Sequence, residues 1–202
     1  MPFFKDLPID FQHKVLPLLK ARQLYAGDIL FSEGDVAEEI IFVIKGNFDY
    51  YKDISDMISL PDKLIDIHRQ AFNVPFAQYV RESYFGDEDT LFSSSELNSS
   101  RSSRIGVLIQ DEDNHKCFRA ATAVCVDDAE VLVIKRRQIS EELNRFRPVG
   151  KLMKEMASEK REYHKILINS ILNRYRNADE MLRQIAQRMG GDSTITTHMS
   201  LK

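Results

Sequence analysis

Arg119 stands in a run of small residues, Phe118-Arg119-Ala120-Ala121-Thr122, and a second short stretch, Tyr84-Phe85-Gly86-Asp87, precedes it in the chain. The guanidinium is planar and permanently charged, and its fork of donors matches phosphate oxygens. A glycine turn bares backbone N–H groups, and a carboxylate accepts from a sugar hydroxyl. Together these residue types can hold a cyclic phosphate, with Arg119 neutralising the charge, the turn supplying amides and Asp87 taking a ribose hydroxyl. Bond-making chemistry has little support. Asp87-Glu88-Asp89 is a run of carboxylates, but consecutive residues on a turn splay apart, and no nucleophile–base pair stands out. The five histidines are scattered. His115 beside Cys117 does not make a metal-ligand spacing, so no metal and no resident cofactor are expected, and the chain reads as non-enzymatic.

Such a device needs a frame of short strands. From Gly27 to Gly46, turn signals (Ala26-Gly27-Asp28, Glu33-Gly34-Asp35, Lys45-Gly46-Asn47) separate short runs in which Ile29 and Phe31, then Ile41 and Val43, alternate. This pattern predicts antiparallel strands joined by tight turns, the mark of a barrel or jelly roll. Strands are also expected over 48–52, 76–80, 105–109, 118–126 and 131–134, with a short helix at 90–92 after the Gly86 turn. Tyr25, Tyr50, Tyr51 and Tyr84 read as packing residues of this barrel. Two stretches are too long for hairpin loops, 53–74 and 93–117. The second opens on a serine-rich linker, 93–103, expected to be mobile and open to phosphorylation.

Helices flank the strands. Residues 11–20 predict a short amphipathic helix with Asp10 as its N-cap, interrupted by Pro17. Residues 138–146 predict a helix stopped by Arg147-Pro148. A long helix follows over 149–188, with an interruption near Asn177. Along it Tyr163, Leu167, Ile171, Ala178, Leu182, Ile185 and Met189 recur at helical spacing, a stripe that suits either the same domain or a second copy of the chain. The expected organisation is therefore a helical lead-in over 1–26, a β-roll over 27–135 carrying both inserts, C-terminal helices over 136–189 and a flexible tail over 190–202.

Composition narrows the partners. A net charge of -3 argues against a general nucleic-acid binder. Two cysteines without a framework suit a reducing cytoplasmic setting. No apolar run approaches the ~18 residues of a membrane helix.

The run from Gly27 to Asp35, the run Ile41-Phe42-Val43-Ile44-Lys45-Gly46, the Phe85-Gly86-Asp87 turn and the Arg119-Ala120-Ala121-Thr122 segment resemble the cyclic nucleotide-binding domain family. The likeness spans roughly residues 3–170. Pro2-Phe3-Phe4-Lys5-Asp6-Leu7-Pro8 and the stretch from Val74 to Asp87 are most similar to the cytosolic C-terminal domains of cyclic-nucleotide-modulated and ether-à-go-go-type cation channels, of a style met in ciliates. The resemblance implies a mainly β fold with α-helices: an antiparallel jelly-roll barrel with an N-terminal helix and C-terminal hinge and lid helices. It implies that cyclic nucleotide docks on Phe85, Gly86, Asp87, Glu88 and Arg119, beside Ala120 and Ala121. Alanine at 120 implies cAMP in preference to cGMP, and alignment on Pro148 puts Arg161 and Met156 over the purine. Closure of the last helix would then pass to a channel gate. The implied alternatives are a non-binding regulatory domain of the same fold and a regulatory subunit of a soluble kinase or ciliary assembly. Asp87 stands where the family usually has glutamate, and Glu88 and Asp89 replace small or apolar residues.

Overall fold

A computed structural model describes residues 2–57, 72–92 and 117–188. The chain runs through a first turn of helix α1 (Pro2–Lys5), α2 (Ile9–Val15) and a 3-10 turn (Leu16–Leu18) into strands β1 (Lys20–Leu24), β2 (Ile29–Phe31), β3 (Glu39–Lys45) and β4 (Phe48–Asp53). Then come β5 (Asn73–Tyr79), β6 (Tyr84–Phe85), the one-turn helix α3 (Asp87–Thr90), β7 (Thr122–Cys125), β8 (Ala129–Lys135), α4 (Arg136–Arg145) and α5 (Arg147–Arg188). The strands form two four-stranded antiparallel sheets, ordered β1-β8-β3-β6 and β2-β7-β4-β5.

Side-chain alternation along β3 explains how the layers stack. Ile41 and Val43 point one way, into a core shared with Phe48, Tyr50 and Tyr79 of the opposite sheet and Phe85 of the neighbouring β6. Ile40 and Phe42 point the other way, into a second core formed with Phe4, Phe11 and Val15 of the lead-in and Ile139, Val149 and Met153 of the last helices. Strand β8 divides in the same manner, Val131 and Val133 inward and Ile134 toward the helices. The middle of the first sheet is thus buried on both faces, which is why β3 reads as a continuous apolar run rather than simple alternation. Gly46 closes the β3–β4 turn at φ +87°, and an added Cβ there would lie 2.6 Å from the Ala129 Cβ, so both backbone conformation and space require glycine.

The structure revises several sequence expectations. The stretch 1–26 is not purely helical, since β1 lies within it and pairs with β8 from Lys20↔Val133 to Leu24↔Ala129. Helix α2 spans Ile9–Val15 with Pro8, not Asp10, at its N-cap, and Pro17 falls in the following 3-10 turn. Proline is tolerated in a first turn because its missing N–H has no partner to lose there. The same reason lets α5 begin at Arg147 with Pro148 in its first turn, and α5 continues through Asn177 without a break. The turn helix is at Asp87–Thr90 rather than 90–92. Phe118 makes only an isolated bridge to Val36, and β7 proper begins at Thr122. Tyr50 is fully buried, but Tyr25 is 66% exposed and takes no part in the core. The strand expected over 105–109, most of both inserts, the serine-rich linker and the tail 190–202 lie outside the described residues.

Helix α5 spans about 63 Å at 1.5 Å per residue. Its first stretch buries Val149, Met153 and Ala157 against the lead-in core. Farther along, Ile168, Ile171 and Leu172 pack on Ile54, Phe72 and Val74. The buried face therefore runs through Lys160 and His164, one step off a stripe begun at Tyr163, which is 58% exposed. Among the described residues no helix is long and apolar enough to cross a membrane.

Candidate functional site: a cassette of buried charges

Strand β6 pairs with β3 through Ile41↔Phe85, which fixes Phe85 in the inter-sheet core against Phe48, Tyr50 and Tyr79. Gly86 follows at φ +81° and turns the chain into α3. An added Cβ on Gly86 would lie 2.6 Å from Arg119 Nη1, so glycine is demanded both by the turn and by the guanidinium beside it. The Thr90 hydroxyl donates back to the Gly86 carbonyl (2.5 Å) and lies 3.1 Å from the Glu39 carbonyl, tying the one-turn helix to β3.

Arg119 is 4% exposed. Its Nη1 donates to the Gly86 carbonyl (2.9 Å) and its Nη2 to the Glu39 carbonyl (2.5 Å), while its Cζ lies 4.1 Å from the centre of the Phe31 ring. Its Nε is buried with no acceptor among the described residues. The guanidinium is held by two main-chain dipoles and a ring face, and its Nε donor is left unspent.

The three acids of α3 are all buried and go three ways. Asp87 Oδ1 accepts from Lys160 Nζ of α5 at 2.5 Å. Glu88 Oε1 accepts from the Tyr50 hydroxyl at 3.0 Å. Asp89 Oδ2 accepts from the backbone N–H of Ala120 at 3.2 Å. Lys160 also donates to the Tyr84 carbonyl (3.1 Å) and sits 3.9 Å over the Tyr84 ring. One turn on, His164 Nε2 is hydrogen-bonded to the Tyr79 hydroxyl at 2.8 Å.

Burial penalises charge at these acids. Burial, then the Glu88 charge, push Asp87 up to about 8 against the pull of Lys160. Burial and Glu88 likewise push Asp89 up to about 7, opposed by the Ala120 N–H and Arg119. Burial also acts on Glu88, but the Lys160 charge and a hydrogen bond from Asp87 outweigh it and hold Glu88 below its ordinary value. The short Lys160 contact marks Asp87 as an anion, whereas its raised titration marks it as an acid. With Asp87 raised and Glu88 lowered, the pair carries a single negative charge near Lys160 over a broad pH range. Asp87 Oδ2 and Glu88 Oε2 are buried with no donor among the described residues. Burial lowers His164, partly offset by Glu88.

Phe85, Gly86, Asp87, Glu88 and Arg119 lie side by side in the fold. Ala121 is buried beneath them, and Ala120 meets them through its backbone. Met156 lies at the margin, its sulfur 4.0 Å from the Tyr84 hydroxyl. Arg161 stacks on Phe92 with Cζ 4.9 Å from the ring centre. Sequence reasoning missed Lys160 and His164; it noted Asp89 as an acid of the cassette and Tyr50 as a packing residue without assigning either to the site. Lys160 was discoverable: it directly precedes Arg161, and neighbours on a helix point about 100° apart. Among the described residues there is no group of three or more histidine, cysteine or acidic side chains able to hold a metal.

No family model matches the sequence, and no curated protein matches it. Solved structures do. The catabolite activator protein of Thermus thermophilus superposes with a TM-score of 0.56 at 18% identity, over 93% of this chain and 72% of that one. A cAMP-bound PfPKA-R superposes with a TM-score of 0.54 at 18% identity, over 84% of this chain and 43% of the other. The C-linker and CNBHD of zELK channels, crystallised in the presence of cAMP, gives 0.50 at 15% identity over 80% and 61%. At such identities the likeness speaks for architecture alone: two antiparallel sheets, a short helical cassette and closing helices give this chain the β-roll fold of cyclic nucleotide-binding domains.

Proposed function

We propose that this chain is a regulatory domain that senses cyclic nucleotide and carries out no bond chemistry. The ligand phosphate would lie against Arg119 and the Phe85-Gly86 turn, and the ribose would compete for Asp87. The reading rests chiefly on one observation: the long last helix is joined to the cassette by the Lys160–Asp87 pair. An occupant that engages Asp87 changes what Lys160 can hold, and so changes the free energy of that helix position. A ligand shifts a conformational equilibrium only through such a difference in contacts. Alanine at 120 favours cAMP over cGMP on the family resemblance. The likeness to a channel domain supports coupling to a cation-channel gate, and the exposed side of α5 offers a route to self-association.

Calorimetric titration with cAMP and cGMP, beside Arg119→Ala, tests this. Expected is cAMP binding that the substitution weakens tenfold or more, about 1.4 kcal/mol. A folded domain that gives no heat up to millimolar nucleotide would overturn it. One observation favours a second reading, a non-binding regulatory domain of the same fold: Arg119 spends its Nη donors on the Gly86 and Glu39 carbonyls rather than presenting them outward.

A further inference from the structure

We infer that Asp89 is a built-in occupant of the cassette's anion position, held on the Ala120 N–H, and that it must leave when a phosphate enters. The inference rests on the cyclic-nucleotide reading above and adds to it a competitor within the chain.

The backbone N–H next to an arginine is the natural second donor for a bound phosphate. That N–H is already spent on the Asp89 carboxylate, 3.2 Å away, and Asp89 is 6% exposed. The guanidinium that would share the phosphate is turned to the Gly86 and Glu39 carbonyls, and its Nε, buried and without an acceptor among the described residues, is a donor in want of an anion. The Asp89 carboxyl and a phosphate cannot share one N–H, so the two cannot hold the position together. Entry of nucleotide therefore requires α3 to release Asp89 to water.

The surroundings of Asp89 determine what that release does to protons. On its own helix stand Asp87 and Glu88; from β4 comes Tyr50, from β5 Tyr79, from the β7 approach Arg119, and from α5 Arg161. Burial and Glu88 together outweigh Arg119 and Arg161, so the carboxyl keeps its proton to about pH 7 while inside. In water it loses that proton near the ordinary aspartate value of about 4. Expulsion between those limits releases a proton, so nucleotide affinity rises with pH across the interval and levels off above it.

The test is titration of the wild-type chain, Asp89→Ala and Asp89→Asn with cAMP at pH 6, in two buffers of different ionisation heat. Folding of each variant is checked by circular dichroism. Expected are an affinity at least tenfold higher for Asp89→Ala than for wild type, and close to one proton released by wild type but none by Asp89→Asn. Should Asp89→Ala not fold, the proton count of Asp89→Asn against wild type decides alone. Equal affinities with equal proton release would overturn the built-in occupant and leave the sensor reading standing. Folded proteins that all fail to bind up to millimolar cAMP would overturn both.

Discussion

Lys160 joins the last helix to the cassette through a direct ion pair with Asp87. Its ammonium is mostly buried and faces a carboxyl that is 1% exposed. Removing one partner of a buried pair leaves a charge with nothing to balance it, at a cost of about 3 kcal/mol. The coupled titration of Asp87 and Glu88 gives the loss a signature that packing would not have. Lys160→Met should destabilise the fold by about 3 kcal/mol at pH 7.5 and by much less at pH 5, where Glu88, freed of the Lys160 charge that held it low, can take a proton and leave the pair neutral. Urea unfolding at both pH values reads this directly, and an equal loss at each would mean that the lysine stem, not its charge, does the holding. Gly86 offers a second residue-level check. Alanine there must both adopt φ +81° and displace Arg119, so Gly86→Ala should cost about 1–3 kcal/mol in stability and weaken any phosphate binding that depends on Arg119.

Among the elements, α5 decides how the cassette is covered, and its rotational phase can be measured by paired substitutions. Leu172 is buried against Ile54 and Val74, while Ile166 is 64% exposed. Leu172→Ala should lose about 2–4 kcal/mol through the cavity it leaves, and Ile166→Ala should stay within about 0.5 kcal/mol. The reverse order in denaturant unfolding would mean that the helix is rotated by roughly a third of a turn. This phase is also where the sequence was hardest to read. Lys160 and His164 occupy the covered face between apolar stretches, so a reader following apolar periodicity slides onto Tyr163. The strands were legible because Gly27, Gly34 and Gly46 mark turns that alternation alone would leave vague, and because both faces of β3 are apolar. The short β1 was not, since Lys20-Ala21-Arg22-Gln23-Leu24 carries almost no apolar signal and is a strand only because β8 pairs with it. Arg119 and the Gly86 turn were legible as a unit from residue type. That three acids in a row would all be buried was not, because burying a carboxylate is favourable only with partners that arrive from β4, the Arg119 segment and α5.

At the scale of the whole molecule those three acids make stability depend on pH in an unusual direction. Most folded proteins hold their carboxylates below the ordinary range and lose stability in acid. In this cassette Asp87 and Asp89 are raised to about 8 and about 7. A raised acid binds its proton in the folded state at pH values where the unfolded chain has released it. The unfolded state then binds fewer protons, so the slope of unfolding free energy against pH is negative from about 4 up to the folded value. His164 works the other way below its ordinary value of 6.5, because burial keeps it neutral while the unfolded chain takes a proton. Glu88, held low, acts only below 4.5. Between pH 6.5 and 8 the two raised aspartates therefore act with neither opposed, and stability should fall by on the order of 1 kcal/mol per pH unit. Thermal unfolding of the wild-type chain across that window should show a melting temperature that decreases with rising pH, and Asp89→Asn should flatten the lower half of the decline. A melting temperature that rises or stays level would mean that these carboxylates are ionised in the folded state, with Lys160, Arg119 and Arg161 supplying more compensation than their positions around α3 imply.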